Sequence, residues 1–139
     1  MYNLGVKKYR ILLVEDDTSL GSLFKIRIEA DGFEVLLCDN GEAALQSALD
    51  FKPDLILLDI MLPKVDGFEV LNNLRSNPET KDITVIVLSA LGQPSDVEKA
   101  KAAGASNYLI KSEITIEDIV KAIRNQLNLS AIADQQKNK

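Results

Sequence analysis

Short apolar runs and amphipathic stretches alternate along the chain. Arg10–Val14 (Arg-Ile-Leu-Leu-Val) is a nearly continuous apolar run, as expected of a strand covered on both faces. Residues 33–38, Leu55–Leu58, 83–88 and 108–110 repeat that signature, with β-branched residues prominent. Between these runs the apolar positions recur at helical spacing. Leu20, Leu23, Phe24 and Ile28 share one predicted helix face, and so do Ala44, Leu45, Ala48 and Leu49. Phe68, Val70, Leu71 and Leu74 follow Asp66-Gly67, and Asn77-Pro78 ends that helix. Ser95-Asp96-Val97-Glu98 reads as a capping box opening a fourth helix, with Pro94 just ahead of it. Thr115 caps the fifth, which carries Ile116, Ile119, Val120, Ile123 and Leu127 at 3.6-residue spacing.

Five strands alternating with five helices predict a parallel sheet with helices on both faces. Right-handed crossovers narrow the topology to doubly wound α/β forms. Neither an internal repeat nor a Pro/Gly/Ser linker divides the chain. The expected organisation is one domain over residues 1–129 and a polar C-terminal tail over 130–139 that frays.

Composition adds exclusions. At 139 residues, 46% hydrophobic and 27% charged, the chain suits one domain with one core. Its net charge of −5 argues against direct nucleic-acid binding, since phosphate backbones attract positive charge. The single cysteine, Cys38, excludes an intramolecular disulfide and a Cys-based zinc site. No apolar run approaches a membrane span and no signal-peptide h-region opens the chain, so no membrane partner and a cytoplasmic location are expected. Histidine is absent altogether. Triads, His-ligated metals and imidazole acid–base chemistry are thereby excluded.

The remaining chemistry sits where the strands end. In open α/β sheets, ligands bind outside the carboxyl ends of the strands. Strand one ends in Glu15-Asp16-Asp17, strand three in Asp59, strand four in Ser89 and strand five in Lys111. Asp16 to Asp59 spans two strand–helix units and each later interval about one, so all four ends should meet on one rim. Carboxylates gathered there repel one another, and a hard divalent cation relieves this. Mg²⁺ suits best, because it uses one or two protein carboxylates alongside phosphate oxygens. Lys111 then neutralises a phosphoryl oxygen, and Ser89 offers a hydroxyl donor. These are the parts of phosphoryl transfer, in which a carboxylate can itself be the nucleophile.

Val-Glu-Asp-Asp at 14–17, Leu-Leu-Asp-Ile-Met-Leu-Pro at 57–63, Asp66-Gly67, Val-Leu-Ser-Ala at 87–90, Gly-Ala at 104–105 and Tyr-Leu-Ile-Lys at 108–111 resemble response-regulator receiver domains of two-component signalling. The similarity covers about residues 8–128. It implies a flavodoxin-like, five-stranded parallel sheet of order 2-1-3-4-5 with five helices. It further implies that Asp59 receives a phosphoryl group from a phosphohistidine on a histidine kinase or phosphotransfer protein. Asp16 and Asp59 would ligate Mg²⁺ directly, Glu15 would act through a metal-bound water, and the Met61 backbone carbonyl would complete the protein ligands. Lys111 would pair with Asp59 at rest. Ser89 would swing toward the phosphoryl group, and Tyr108 would turn inward into the vacated space. A downstream protein target would read the helix 4, strand 5, helix 5 face. Such a chain catalyses at most its own phosphorylation and dephosphorylation. The resemblance leaves open a stand-alone regulator and the receiver of a longer one; the former, having no output domain, acts through a protein partner.

Other residues read more plainly. Asp17 is a surface or helix-start residue, Asp54 belongs to a turn, and Cys38 is an inert small hydrophobe. Leu20 is either core or part of a docking surface. Helix four offers Val97 and alanines at 100, 102 and 103, so it should be the most loosely held helix. Three features depart from the family pattern. Ser112 replaces the usual proline after the lysine, which predicts a trans Lys111–Ser112 bond. Ser89 stands where threonine is commoner. Met61 and Leu91 are apolar and are expected to shield a phosphoryl group from water. Rival readings are weaker: a haloacid-dehalogenase-like phosphatase wants a second Asp where Met61 stands, and a dinucleotide site wants glycines after strand one. The remaining alternative is a phosphorylation-independent interaction module.

Overall fold

Every predicted apolar run forms a strand and every amphipathic stretch a helix. The computed structural model describes residues 7–129; the expected tail over 130–139 lies outside the described residues. In chain order the elements are β1 (Arg10–Val14), α1 (Thr18–Ala30), β2 (Glu34–Cys38), α2 (Ala44–Phe51), β3 (Leu55–Leu58), α3 (Gly67–Ser76), β4 (Thr84–Ser89), α4 (Pro94–Ala102), β5 (Asn107–Ile110) and α5 (Ile116–Gln126). A 3₁₀ turn, Lys111–Glu113, joins β5 to α5. The five strands make one parallel sheet of order β2-β1-β3-β4-β5, as the family resemblance implied.

Two-residue alternation along the strands divides the core. Ile11, Leu13, Leu55, Leu57, Ile86 and Leu88 face α1 and α5. Leu12, Val14, Ile56, Leu58 and Val85 face α2 and α3. Leu55–Leu58 is inaccessible throughout, which explains why β3 reads as an unbroken apolar run. Burying each such side chain contributes about 1.5–3 kcal/mol. The edge strand β2 is less covered, and its Leu36 is exposed. A small third cluster, Ile60, Val87 and Ala100, lies under α4.

Register decides where the strand ends fall. Val14 pairs with Leu58, and Leu58 with Val87. The Asp59 N–H donates to the Val14 carbonyl at 3.0 Å and the Glu15 N–H to Cys38 at 3.0 Å. The residues just past β1 and β3 are therefore held side by side.

Two local expectations are corrected. Leu23 does not join the buried face of α1: it is 56% exposed, while Gly21, Phe24 and Ile28 are buried. Gly21 lets the helix lie close to the sheet, since an added Cβ would meet Leu37 Cδ1 at 2.9 Å. Leu23, about 200° further round the helix, then faces outward. Helix α4 opens two residues earlier than the Ser95–Glu98 box would place it. Pro94 sits inside the helix start, and the Asp96 carboxylate accepts from the Gln93 N–H at 3.3 Å. Proline's fixed φ favours that first position. The Thr115 cap of α5 is as expected: Thr115 Oγ1 accepts from the Asp118 N–H at 3.2 Å, and Asp118 Oδ2 from the Thr115 N–H at 2.8 Å.

Candidate functional site

The ends of β1, β3 and β5 converge on one cluster. Lys111 Nζ donates to Glu15 Oε1 at 2.7 Å and to Asp59 Oδ2 at 2.9 Å. The second Asp59 oxygen accepts from the Met61 N–H at 3.0 Å. Glu15 Oε2 accepts from the Asp17 N–H at 3.2 Å. Glu15 and Asp59 are buried, at 2% and 5% exposure. Asp16 is exposed and makes no hydrogen bond or ion pair among the described residues. Carboxylate oxygens of Glu15, Asp16 and Asp59 lie within 4.8 Å of one another.

Local structure sets each position. Asp17 caps α1, its side chain accepting from the Leu20 N–H at 3.0 Å, and so turns the chain just after Asp16. Asp66 caps α3 in the same way, and Gly67 follows because nothing larger fits. A Cβ at Gly67 would collide with the Asp59 carbonyl, and its N–H donates to Ile60 O at 2.9 Å. Lys111 opens the 3₁₀ turn, and no cis peptide bond occurs among the described residues, so Lys111–Ser112 is trans as expected.

Burial lifts the Glu15 carboxyl above its ordinary value, against the opposing hydrogen bond from Lys111. Burial also disfavours the Lys111 ammonium, but its bonds to Glu15 and Asp59 outweigh this and raise its pKa. Three carboxylates thus gather around one ammonium, which pairs with only two of them, Glu15 and Asp59. The all-oxygen donor set and the uncompensated negative charge fit a hard divalent cation, and Glu15, Asp16 and Asp59 are the side chains able to hold it.

Ser89 is fully buried, and its Oγ accepts from the Leu91 N–H at 3.1 Å. Tyr108 is half-buried against Ile60, Val87 and Ala100, and its hydroxyl donates to the Leu91 carbonyl at 2.8 Å. Burial raises its phenol pKa, with nearby Ser89 opposing. Asp16, Met61, Asp66, Phe68, Leu91 and Lys99 line an adjoining cleft of about 580 Å³. The Met61 side chain is 53% exposed there.

The plainer readings also have their places. Asp54 accepts from the Arg10 N–H at 2.8 Å and from Lys7 Nζ at 2.7 Å. Cys38 is buried, its thiol donating to the Asn40 carbonyl at 3.2 Å. Leu20 is partly buried against the α1–α5 core. Sequence reasoning missed the direct Glu15–Lys111 ion pair. Its only signal was that the apolar run of β1 continues without interruption to Glu15, so the side chain shares the burial of the strand.

No helix among the described residues is long and apolar enough to cross a membrane. The profile of the response regulator receiver domain family matches residues 11–124. The transcriptional regulator RpaA of Synechocystis is 40% identical over 115 residues, covering 83% of this chain and 47% of that protein. The transcriptional regulatory protein CpxR of Escherichia coli is 40% identical over 129 residues, 93% of this chain and 53% of that protein. The chain thus spans about half the length of these relatives. It covers 94% of the polar-differentiation response regulator DivK of Brucella anthropi, at 36% identity over 84% of its own length. Among solved structures, a putative response regulator from Chloroflexus aurantiacus superimposes with a TM-score of 0.79 at 30% identity, over 86% of this chain and 97% of that one. A CheY-like receiver domain protein from Methanospirillum hungatei gives 0.81 at 25% identity, over 96% and 100%. With the fold, the strand order and the matched residues in agreement, the chain belongs to the response regulator receiver domain family of two-component systems.

Proposed function

We propose that Asp59 is the phosphoacceptor of a signalling switch, taking a phosphoryl group from a phosphohistidine on a histidine kinase or phosphotransfer protein. The observation that carries this reading is the setting of the Asp59 carboxylate. One oxygen is held by Lys111 and the other by the Met61 N–H, while the unpaired Asp16 lies close by. In the transfer the phosphorus–nitrogen bond of the donor breaks, a phosphorus–oxygen bond forms to Asp59, and the imidazole leaves to take up a proton. Lys111 stays beside the site and offsets charge on the phosphoryl oxygens. Asp16, Asp59, the Met61 carbonyl and, through water, Glu15 would hold Mg²⁺. When bound, the metal supplies the remaining charge neutralisation.

Ser89 and Tyr108 report the change. Their hydroxyls hold opposite ends of the Leu91 residue, so turning Ser89 toward a phosphoryl group frees the Leu91 N–H. The α4–β5–α5 face then presents a different surface to a downstream protein target. The net charge of −5 favours protein over nucleic acid as the direct partner of this domain, which acts in the cytoplasm. The DNA binding in the name of RpaA belongs to that protein, of which this chain covers less than half.

Incubation with acetyl phosphate and Mg²⁺, followed by intact mass and peptide mapping, tests the assignment. One phosphoryl adduct on Asp59 is expected, absent in Asp59→Asn and absent without metal. A protein that takes no adduct from any donor, yet still binds its target, would instead be a phosphorylation-independent interaction module.

A further inference from the structure

Helix α4 is attached to the fold differently at its two ends. At the C-terminal end the Arg75 guanidinium, on α3, donates to three backbone carbonyls. Nε and Nη2 reach Gly104 O at 3.1 and 2.8 Å, and Nη1 reaches Lys81 O at 2.9 Å and Ile83 O at 2.7 Å. These bonds tie the end of α4 to the turn after α3 and to the start of β4. A planar fork of donors suits such a group of carbonyls, and an ammonium cannot reproduce it. Gly104 has a φ of +104°, and an added Cβ there would meet Arg75 Nε at 2.8 Å. Just beyond, Ala105 N–H donates to Ala100 O at 2.9 Å and Ser106 N–H to Val85 O at 2.7 Å. The Ser106 hydroxyl oxygen accepts from Val85 N–H at 3.1 Å.

The N-terminal end has no comparable anchor. Gln93, Pro94 and Ser95 are exposed, and Ala100 is the one buried residue of α4. The segment between β4 and α4 is held at a single residue, Leu91, by the Ser89 and Tyr108 hydroxyls.

We propose that Arg75 makes the C-terminal end of α4 a fixed hinge, so that switching swings only the N-terminal end of the helix. A nine-residue helix is about 13 Å long, so a rotation of about 10° displaces its free end by about 2 Å. The trigger through Ser89 rests on the phosphoacceptor reading above, whereas the hinge itself exists without phosphorylation.

Hydrogen exchange by mass spectrometry on the full chain separates the two. Without phosphodonor, Arg75→Lys and Arg75→Met should each raise exchange of the 103–106 amides by on the order of tenfold and leave α5 unchanged. Should Arg75→Met fail to fold, Arg75→Lys, which keeps the charge and loses the fork, gives the same comparison. With Mg²⁺ and acetyl phosphate, and the adduct confirmed by intact mass, the wild type should change at residues 91–97 and not at 103–106. In Arg75→Lys the change should spread along the whole helix. Unaltered 103–106 exchange in the variants, or a uniform change along α4 in the phosphorylated wild type, overturns the hinge. Absence of any adduct refutes the phosphoacceptor reading instead, and the comparison without donor still decides the hinge.

Discussion

Replacing Lys111 with methionine removes the one cation that Glu15 and Asp59 share. Both carboxylates are buried, and the lysine side chain is 21% exposed. Breaking a buried ion pair by deleting one partner costs about 3–5 kcal/mol, because the other charge is left without compensation. Partial access of water to Lys111 places this site at the lower end, about 3 kcal/mol at neutral pH, or on the order of 10 °C in melting temperature. The pH dependence follows from the directions of the shifts. Burial already raises the folded-state pKa of Glu15, so ionising it costs stability as pH rises above its ordinary value of 4.5. Without Lys111 the opposing hydrogen bond is lost and that cost grows. The difference between wild type and Lys111→Met should therefore be small near pH 4 and large at pH 7. In the wild type, once Glu15 is ionised, Lys111 contributes fully up to pH 10.5, its ordinary value, and its contribution disappears only as pH rises through the higher folded value. Urea denaturation of both proteins at the two pH values, with and without millimolar Mg²⁺, measures this. A divalent cation should restore part of the lost stability by taking over the charge balance. Equal stability of the two proteins at pH 7 without metal, or a loss as large at pH 4 as at pH 7, refutes the account.

Three further outcomes are expected. Asp16→Asn should weaken Mg²⁺ binding about tenfold or more by calorimetry while leaving the fold intact, since Asp16 is exposed and bonds to nothing nearby; unchanged affinity would remove Asp16 from the metal site. Met61→Asn combined with Leu91→Asn should shorten the lifetime of the phosphorylated state several-fold, measured by intact mass over time, because both apolar side chains line the cleft beside Asp59; an unchanged decay would exclude shielding. Amide exchange should be faster in α4 than in α5, as α4 buries Ala100 whereas α5 buries Ile119, Val120, Ala122 and Ile123; equal protection would contradict this.

Much of the architecture was legible because burial on both faces leaves a parallel strand no polar position, so β1 and β3 announce themselves as unbroken apolar runs. The helices were legible to within a turn. What misled at Leu23 was its apolar character: on the spacing alone it fits the buried face of α1, but Gly21 brings the helix close to Leu37 and sets the rotation. The early start of α4 was hidden because Gln93 is a weaker helix-start signal than the Ser95 two residues on.

For the site, the chain order alone places carboxylates, a hydroxyl and a lysine at successive strand ends, and doubly wound topology brings them to one rim. The alternation of strands and helices, the residue types available for chemistry and the exclusion of imidazole were thus determined by sequence. Which of those groups touch was decided only by tertiary structure. Register sets Glu15 beside Asp59, and the turn after β5 delivers Lys111 between them, so one ammonium bridges two buried carboxylates and leaves Asp16 free in solvent. The same holds for Arg75, a surface-type arginine in sequence, whose guanidinium closes on carbonyls from three segments. Such contacts join residues far apart in the chain, and no local pattern encodes the few ångströms that separate a shared site from neighbouring strand ends.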